Sequence, residues 1–151
     1  MKILLAVDGS SCSDAAVEEV KRRPWPSHSE VKIITAVETP IIVGIGVEPW
    51  PADYFEELQK SAREAAGTVI DNALRKLNEA SDKTLKIKHE IIGGPAGQVI
   101  VEEAATWGAD LIVMGSRGLG VWNRLLLGSV SSAVVHHAKC SVEIVRTSNA
   151  V

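Results

Sequence analysis

The sequence has few of the residues from which disulfide scaffolds and zinc sites are built. Two cysteines, Cys12 and Cys140, occur among 151 residues, and they lie far apart without a C-x-x-C spacing. His136 and His137 are adjacent on a predicted helix, so their side chains point to different faces and do not form a metal pair. We therefore expect no metal site built by the protein alone, and the cysteine usage predicts a cytoplasmic location.

Long apolar runs and an excess of basic residues are also absent. The run ILLAV after Lys2 is too short for a signal peptide and ends at Asp8, and no run approaches the roughly 20 residues of a membrane span. The formal net charge is −3, and lysines and arginines are scattered along the chain. This balance argues against nucleic acid or an acidic membrane surface as the main partner.

Short apolar runs alternate with helical patterns, and this alternation is the main indication of the fold. Strands are predicted at 2–7, 30–37, 85–92, 109–114 and 141–146. Helices are predicted at 10–23, 52–80, from after Pro95 to Trp107, and at 130–138, with Ser11 or Ser13 as the first N-cap. The order predicts one α/β domain over residues 1–151, with a doubly wound, five-stranded parallel sheet flanked by helices on both faces.

A glycine-rich connection, GSRGLGVWNRLLLGS at 115–129, joins the fourth predicted strand to the last helix. It is much longer than the usual strand-to-helix loop of about two to six residues. Both this connection and Asp8 follow carboxyl ends of strands, where doubly wound sheets bind ligands. Glycine amides at the strand exit can surround an anion, and Gly128–Ser129 begins a helix whose N-terminus favours phosphate.

Simpler interpretations of the same residues stay open at this point. The glycines would only form turns, Ser129 would only be an N-cap, and Asp8 would only cap the first helix. Two other nucleotide motifs are excluded, because the chain has no Gly-Lys dipeptide for a Walker A loop and DGSS, not G-x-G-x-x-G, follows the first strand. Cys12, near a helix start, is either a thiol of lowered pKa or an inert buried one.

The spacing Gly115-x2-Gly118-x9-Gly128-Ser129 is similar to the G-x2-G-x9-G-[S/T] signature of the nucleotide-binding universal stress proteins. ILLAVDGS at the front, GADLIVMGSRG before the loop and VEIVR near the end also resemble that family, so the resemblance covers the whole chain. It implies an adenine nucleotide alpha hydrolase-like sandwich that binds ATP or another adenine nucleotide and forms a homodimer.

The resemblance also implies the residues at the base and ribose end of the nucleotide. Asp8 would lie against the ribose and the start of the phosphates. Backbone at Ala36 or Val37, leaving the second strand, would contact the adenine. Met114 and Gly115 would lie beneath the ribose.

At the other end, the resemblance implies that Gly118, Gly128, Ser129 and the Val130 amide hold the phosphates. Arg117 supplies positive charge nearby. We expect a Mg²⁺ ion to accompany the triphosphate, held mainly by phosphate oxygens and water, because the sequence offers no carboxylate cluster beside Asp8.

The homodimer is expected to form through the last strand. A strand at the edge of a sheet leaves a row of unpaired backbone groups, and pairing with the same strand of a second copy about a two-fold axis satisfies them. Val142, Ile144 and Val145 would supply the apolar contacts.

Three classes of function are compared. A nucleotide-binding regulatory module of the stress response, with little or no catalytic turnover, is favoured. A slow ATPase or nucleotidyl-transfer enzyme is the alternative, although no catalytic triad or paired carboxylates stand beside the loop. A phospho-accepting receiver needs an acidic cluster after the first strand and an Asp after the third. After the first strand the chain has the single carboxylate Asp8, and after the third strand it has Gly93-Gly94-Pro95 in place of an Asp. The receiver class is therefore rejected.

Overall fold

Strands and helices alternate along the chain, as the apolar runs predict. The computed structural model describes residues 1–38, 52–79, 85–118 and 127–147. Within these ranges, strands β1 to β5 span Lys2–Ala6, Glu30–Val37, Lys86–Gly93, Leu111–Gly115 and Ser141–Val145. Helices α1 to α4 span Ser11–Arg22, Ala52–Asn78, Ala96–Trp107 and Ser129–His137. The predicted end of the second helix at Ala80 and the middle of the glycine loop lie outside the described residues.

The five strands form one parallel sheet in the order β3-β2-β1-β4-β5. The chain moves outward from β1 to β3, returns to the middle, and then moves outward on the other side through β4 and β5. The strand order therefore reverses between β1 and β4, and β5 lies at an edge. The prediction of a doubly wound, five-stranded parallel sheet is confirmed.

The core has two layers, because both faces of the sheet are covered. Ile3 and Leu5 of β1 point to a cluster that includes residues of α1 and α2. Leu4 and Ala6 point the other way, to a cluster with α3 and α4. A strand buried on both faces needs a continuous apolar run, which ILLA at 3–6 supplies. Each fully buried Leu or Ile contributes about 1.5–3 kcal/mol relative to an exposed one.

The start of α1 differs from the prediction. Ser10, and not Ser11 or Ser13, is the N-cap, and its hydroxyl oxygen accepts a hydrogen bond from the Ser13 amide at 3.2 Å. The Asp8 carboxylate accepts from the Ser10 amide at 3.0 Å, so Asp8 closes the turn before the helix and does not cap it. Gly9, with φ of +78°, provides the left-handed residue of this turn.

None of the helices within the described ranges is both long enough and apolar enough to span a bilayer.

Candidate functional site

A cavity of about 540 Å³ opens at the carboxyl ends of the strands, where the strand order reverses. Its size is that of a pocket for a small organic ligand, roughly 300–1,000 Å³. The walls come from β1, β2 and β4, from the segments that follow them, and from α1, α3 and α4. They consist of Ala6, Val7, Asp8, Ser13, Ile34, Ala36, Glu38, Ala96, Ile100, Met114, Gly115, Arg117, Gly118, Gly128, Ser129, Val130 and Ser131.

The cavity brings together the residues that the sequence predicts for a nucleotide site, with one exception. Asp8, Ala36, Met114 and the predicted residues between Gly115 and Val130 all line it. Val37 does not, and its carbonyl accepts a hydrogen bond from the Gly94 amide at 3.0 Å. The backbone carbonyl of Val37 therefore points toward the β3 side. Ala36 is the residue near the end of β2 that lines the cavity.

The half of the cavity formed by β2 and α3 is largely apolar. Ile34, Ala36 and Ile100 line it, together with the first residue of α3, Ala96. The Glu38 carboxylate accepts a hydrogen bond from the Ala96 amide at 3.3 Å. This half thus offers apolar walls and one carboxylate, which holds the N-terminus of α3.

The half formed by β4 and α4 is rich in backbone amides and carries positive charge. Gly128 is the N-cap of α4 and has no side chain to accept from the first amides of the helix. Such amides have no partner within a helix, and the helix dipole places partial positive charge there. Arg117 lines the same part of the cavity. Together these groups favour an anion.

Ser129 is the first residue of α4 and not its N-cap, and its side chain is exposed. The simpler interpretation of Ser129 as a cap is therefore wrong. Its hydroxyl is not used in capping, and Ser129 lines the cavity beside the uncapped amides.

The two glycines at the exit of β4 each permit a different close contact. A Cβ on Gly115 would lie 2.6 Å from the carbonyl carbon of Cys12 and 2.7 Å from the Ser13 amide nitrogen. A Cβ on Gly118 would lie 2.6 Å from Oδ2 of Asp8. Gly115 therefore lets α1 pack against β4, and Gly118 lets the Asp8 carboxylate approach the loop.

Cys12 is buried behind this part of the site, with 5% of its surface exposed. Its sulfur lies 3.8 Å from the Ser116 hydroxyl and 4.0 Å from that of Thr147. Burial raises the pKa of the Cys12 thiol, but these hydrogen bonds and the positive charge of Arg117 outweigh it, so the pKa lies below its usual value. Cys12 is therefore a buried thiol whose pKa is lowered.

Sequence reasoning missed Ile34 of β2, the contribution of α3 to the cavity, and also Ser131. Ile34 and Ile100 have the pattern of ordinary core residues, so nothing in the sequence marks them. Ala96 begins the helix after β3, and the rule that ligands bind at carboxyl ends of strands would have indicated it. In the described part of the chain, no group of three or more His, Cys, Asp or Glu residues is placed to hold a metal ion.

Fold and site together define a doubly wound α/β protein with an anion-favouring cavity at its topological switch point. The sequence profile of the Universal stress protein family matches residues 1–146. The chain therefore belongs to the universal stress protein family.

Two relatives illustrate the range of similarity. Universal stress protein A homolog 2 of Coxiella burnetii is 46% identical over 81 residues, a match of 52% of this chain and 54% of that protein, so the matched part spans about half of that relative. Universal stress protein Sll1388 of Synechocystis sp. is 28% identical over 156 residues, with 96% of this chain and 97% of that protein covered.

Two solved structures have the same fold. The protein MJ0577, solved to assign its biochemical function, matches with a TM-score of 0.82 and 27% identity over 99% of this chain and 97% of its own. A universal stress protein solved in complex with cAMP matches with a TM-score of 0.70 and 25% identity over 98% of both chains.

The contact at Gly115 gives a test of packing. We expect Gly115→Ala to lower the free energy of unfolding by about 1–3 kcal/mol, because the new methyl group would overlap backbone atoms of α1. Gly93→Ala is the matched control, since Gly93 also ends a strand and a Cβ there would meet nothing within 4 Å. Urea denaturation measures both, and equal stabilities of the two variants would contradict this account of Gly115.

Proposed function

We propose that this universal stress protein binds ATP in the cavity and acts as a homodimeric regulatory module of the stress response. The observation that carries the proposal is the uncapped start of α4, beside Arg117, in the same cavity as an apolar half. A molecule with an apolar ring at one end and phosphates at the other matches both halves. The related structure in complex with cAMP supports an adenine nucleotide.

The two halves fix the direction in which the nucleotide would lie. They are separated by β1, and two strand spacings amount to about 10 Å, which suits a base at one end and phosphates at the other. The adenine would lie beside Ala36 and the ribose near Asp8 and Met114. The phosphates would lie against Gly118 and the start of α4.

A magnesium ion would accompany the triphosphate. Asp8 and Glu38 are the carboxylates among the residues found to line the cavity, and Glu38 already accepts from the Ala96 amide. Phosphate oxygens and water would therefore supply most ligands of the ion, as is common for Mg²⁺. Two cysteines that are not paired with each other suit the cytoplasmic location that we also infer.

Calorimetry with ATP, in the presence and absence of Mg²⁺, tests the phosphate end. We expect Ser129→Ala to weaken ATP binding roughly ten- to a hundredfold, because a hydroxyl bonded to a charged group contributes about 1.5–3 kcal/mol. Gly118→Ala should also weaken it, since its methyl group would displace the Asp8 carboxylate.

Ser132→Ala is the matched control for these variants, because Ser132 lies on the same helix and is not among the residues found to line the cavity. Its affinity for ATP should equal that of the wild type. Unchanged affinity in folded Ser129→Ala and Gly118→Ala would refute the phosphate site. Tight uptake of Mg²⁺ without nucleotide would show that the protein builds its own metal site.

The dimer would form through β5, which lies at an edge of the sheet. The Val145 carbonyl accepts from the Ser116 amide at 2.8 Å and so points toward β4. Because successive residues of a strand alternate in direction, the backbone groups of Ile144 point outward, where a second copy can pair with them. Val142 and Ile144 pack on the α4 side and Val145 on the α1 side, and all three are only half-buried.

Replacing Ile144 with proline removes an outward amide donor without removing a bond to β4. We expect Ile144→Pro to weaken the dimer, and Ile144→Val, which keeps the amide, to leave it intact. Light scattering at micromolar concentrations measures the mass of each protein. A monomeric wild type, or an Ile144→Pro variant as dimeric as Ile144→Val, would rule out this interface.

ATP would be held rather than turned over. Efficient phosphoryl transfer needs a group that orients the attacking water, and the residues found to line the cavity include no His or Gln. Their two carboxylates, Asp8 and Glu38, already accept hydrogen bonds from the Ser10 and Ala96 amides. We expect phosphate release at saturating ATP to be far slower than about 1 per second, the lower end for ordinary enzymes. A faster release would favour the alternative of an ATPase or nucleotidyl-transfer enzyme.

A further inference from the structure

Ser131 is a cavity residue that the glycine signature does not include. It lies in the first turn of α4, and only 2% of its surface is exposed. Its hydroxyl oxygen lies 3.0 Å from the carbonyl oxygens of both Ser116 and Gly128, which share its single proton as acceptors. A buried hydroxyl requires such partners, and these two carbonyls belong to opposite ends of the glycine loop.

The same two ends are joined by a backbone bond. The Gly128 amide donates to the Ser116 carbonyl at 2.8 Å, so this oxygen accepts from two donors, one for each lone pair. We call Ser116, Gly128 and Ser131 the clasp. The clasp fixes the start of α4 against the exit of β4, whatever the course of the loop between them.

The clasp lies between the amides at the start of α4 and the residues that follow β4. The Ser129 and Val130 amides lie between Gly128 and Ser131, and Gly118 follows Ser116 by two residues. The clasp therefore sets the separation between the uncapped amides and the strand exit, the two sides of the anion-favouring half. Groups that bind one ligand together must be held within about 0.5 Å of their productive positions.

We propose that Ser131 is a positioning residue for the phosphates of the bound nucleotide. The Ser131 hydroxyl does not hold the ligand. It keeps the start of α4 at the distance from Gly118 at which amides from both sides reach the same phosphate groups. This inference rests on the proposed function, since it concerns the same site.

The Ser131→Ala variant tests the inference with two ligands, ATP and adenosine, in calorimetry or in competition with labelled ATP. Gly128 and Ser116 keep their other hydrogen bonds in this variant, so the protein should fold. We expect the Kd for ATP to rise about tenfold, as for the loss of one buried hydrogen bond. The Kd for adenosine, which has no phosphate, should stay within about twofold.

Two further variants separate positioning from general stability. Ser131→Thr keeps the hydroxyl and should restore most of the ATP affinity, and Ser132→Ala should bind both ligands like the wild type. If Ser131→Ala does not fold, Ser131→Cys takes its place, because the thiol is of similar size and a much weaker donor.

The outcomes distinguish this inference from the proposed function. ATP binding by the wild type, with equal ATP affinity in folded Ser131→Ala, would overturn the role of Ser131 alone. Equal losses for ATP and adenosine would also overturn it, since a purely structural defect affects both ligands. A wild type that binds no ATP would overturn the proposed function and the inference together.

Discussion

The site depends on the close packing of β4 against the start of α1, which a missing side chain at Gly115 permits. This contact places the turn after β1 beside the exit of β4, so the Asp8 carboxylate meets Gly118. The Ser10 hydroxyl then reaches the Arg117 carbonyl at 3.2 Å. Two segments more than a hundred residues apart in sequence thus form one wall of the cavity, at the point where the strand order reverses.

Two helix N-termini open on the cavity, but they differ electrostatically. At α3, the Glu38 carboxylate accepts from the Ala96 amide, so a negative charge of the chain already offsets the positive end of the helix. At α4, the N-cap is Gly128, which brings no acceptor side chain. An anion from outside is therefore favoured at α4 and disfavoured at α3. The two ends of the cavity therefore differ in their preference for negative charge before any ligand binds.

Sequence patterns predicted the fold almost completely, because strands buried on both faces and helices with one apolar face leave strong local signals. They also placed Asp8 and the glycines at one edge of the sheet, since parallel strands share their carboxyl ends. Sequence patterns failed where tertiary contacts alone determine which residue lines the cavity or caps a helix. Ile100 has the pattern of a core residue, and the N-cap Ser10 is one of three serines, with Ser11 and Ser13, that compete for one role. No local signal distinguishes Ser131 from Ser132, although only Ser131 lines the cavity among these two.

The chemistry of the cavity walls explains why the proposed function is nucleotide binding with little or no catalysis. Backbone amides and the end of a helix are fixed dipoles, which stabilise negative charge without giving up or taking a proton. The residues at the start of α4, Gly128 and the other members of the clasp, contribute backbone geometry and not acid–base exchange. Asp8 is the carboxylate near this half, and it already accepts a hydrogen bond from the Ser10 amide. Under the proposed function, a site built in this way would hold a phosphate chain without supplying a base to orient an attacking water.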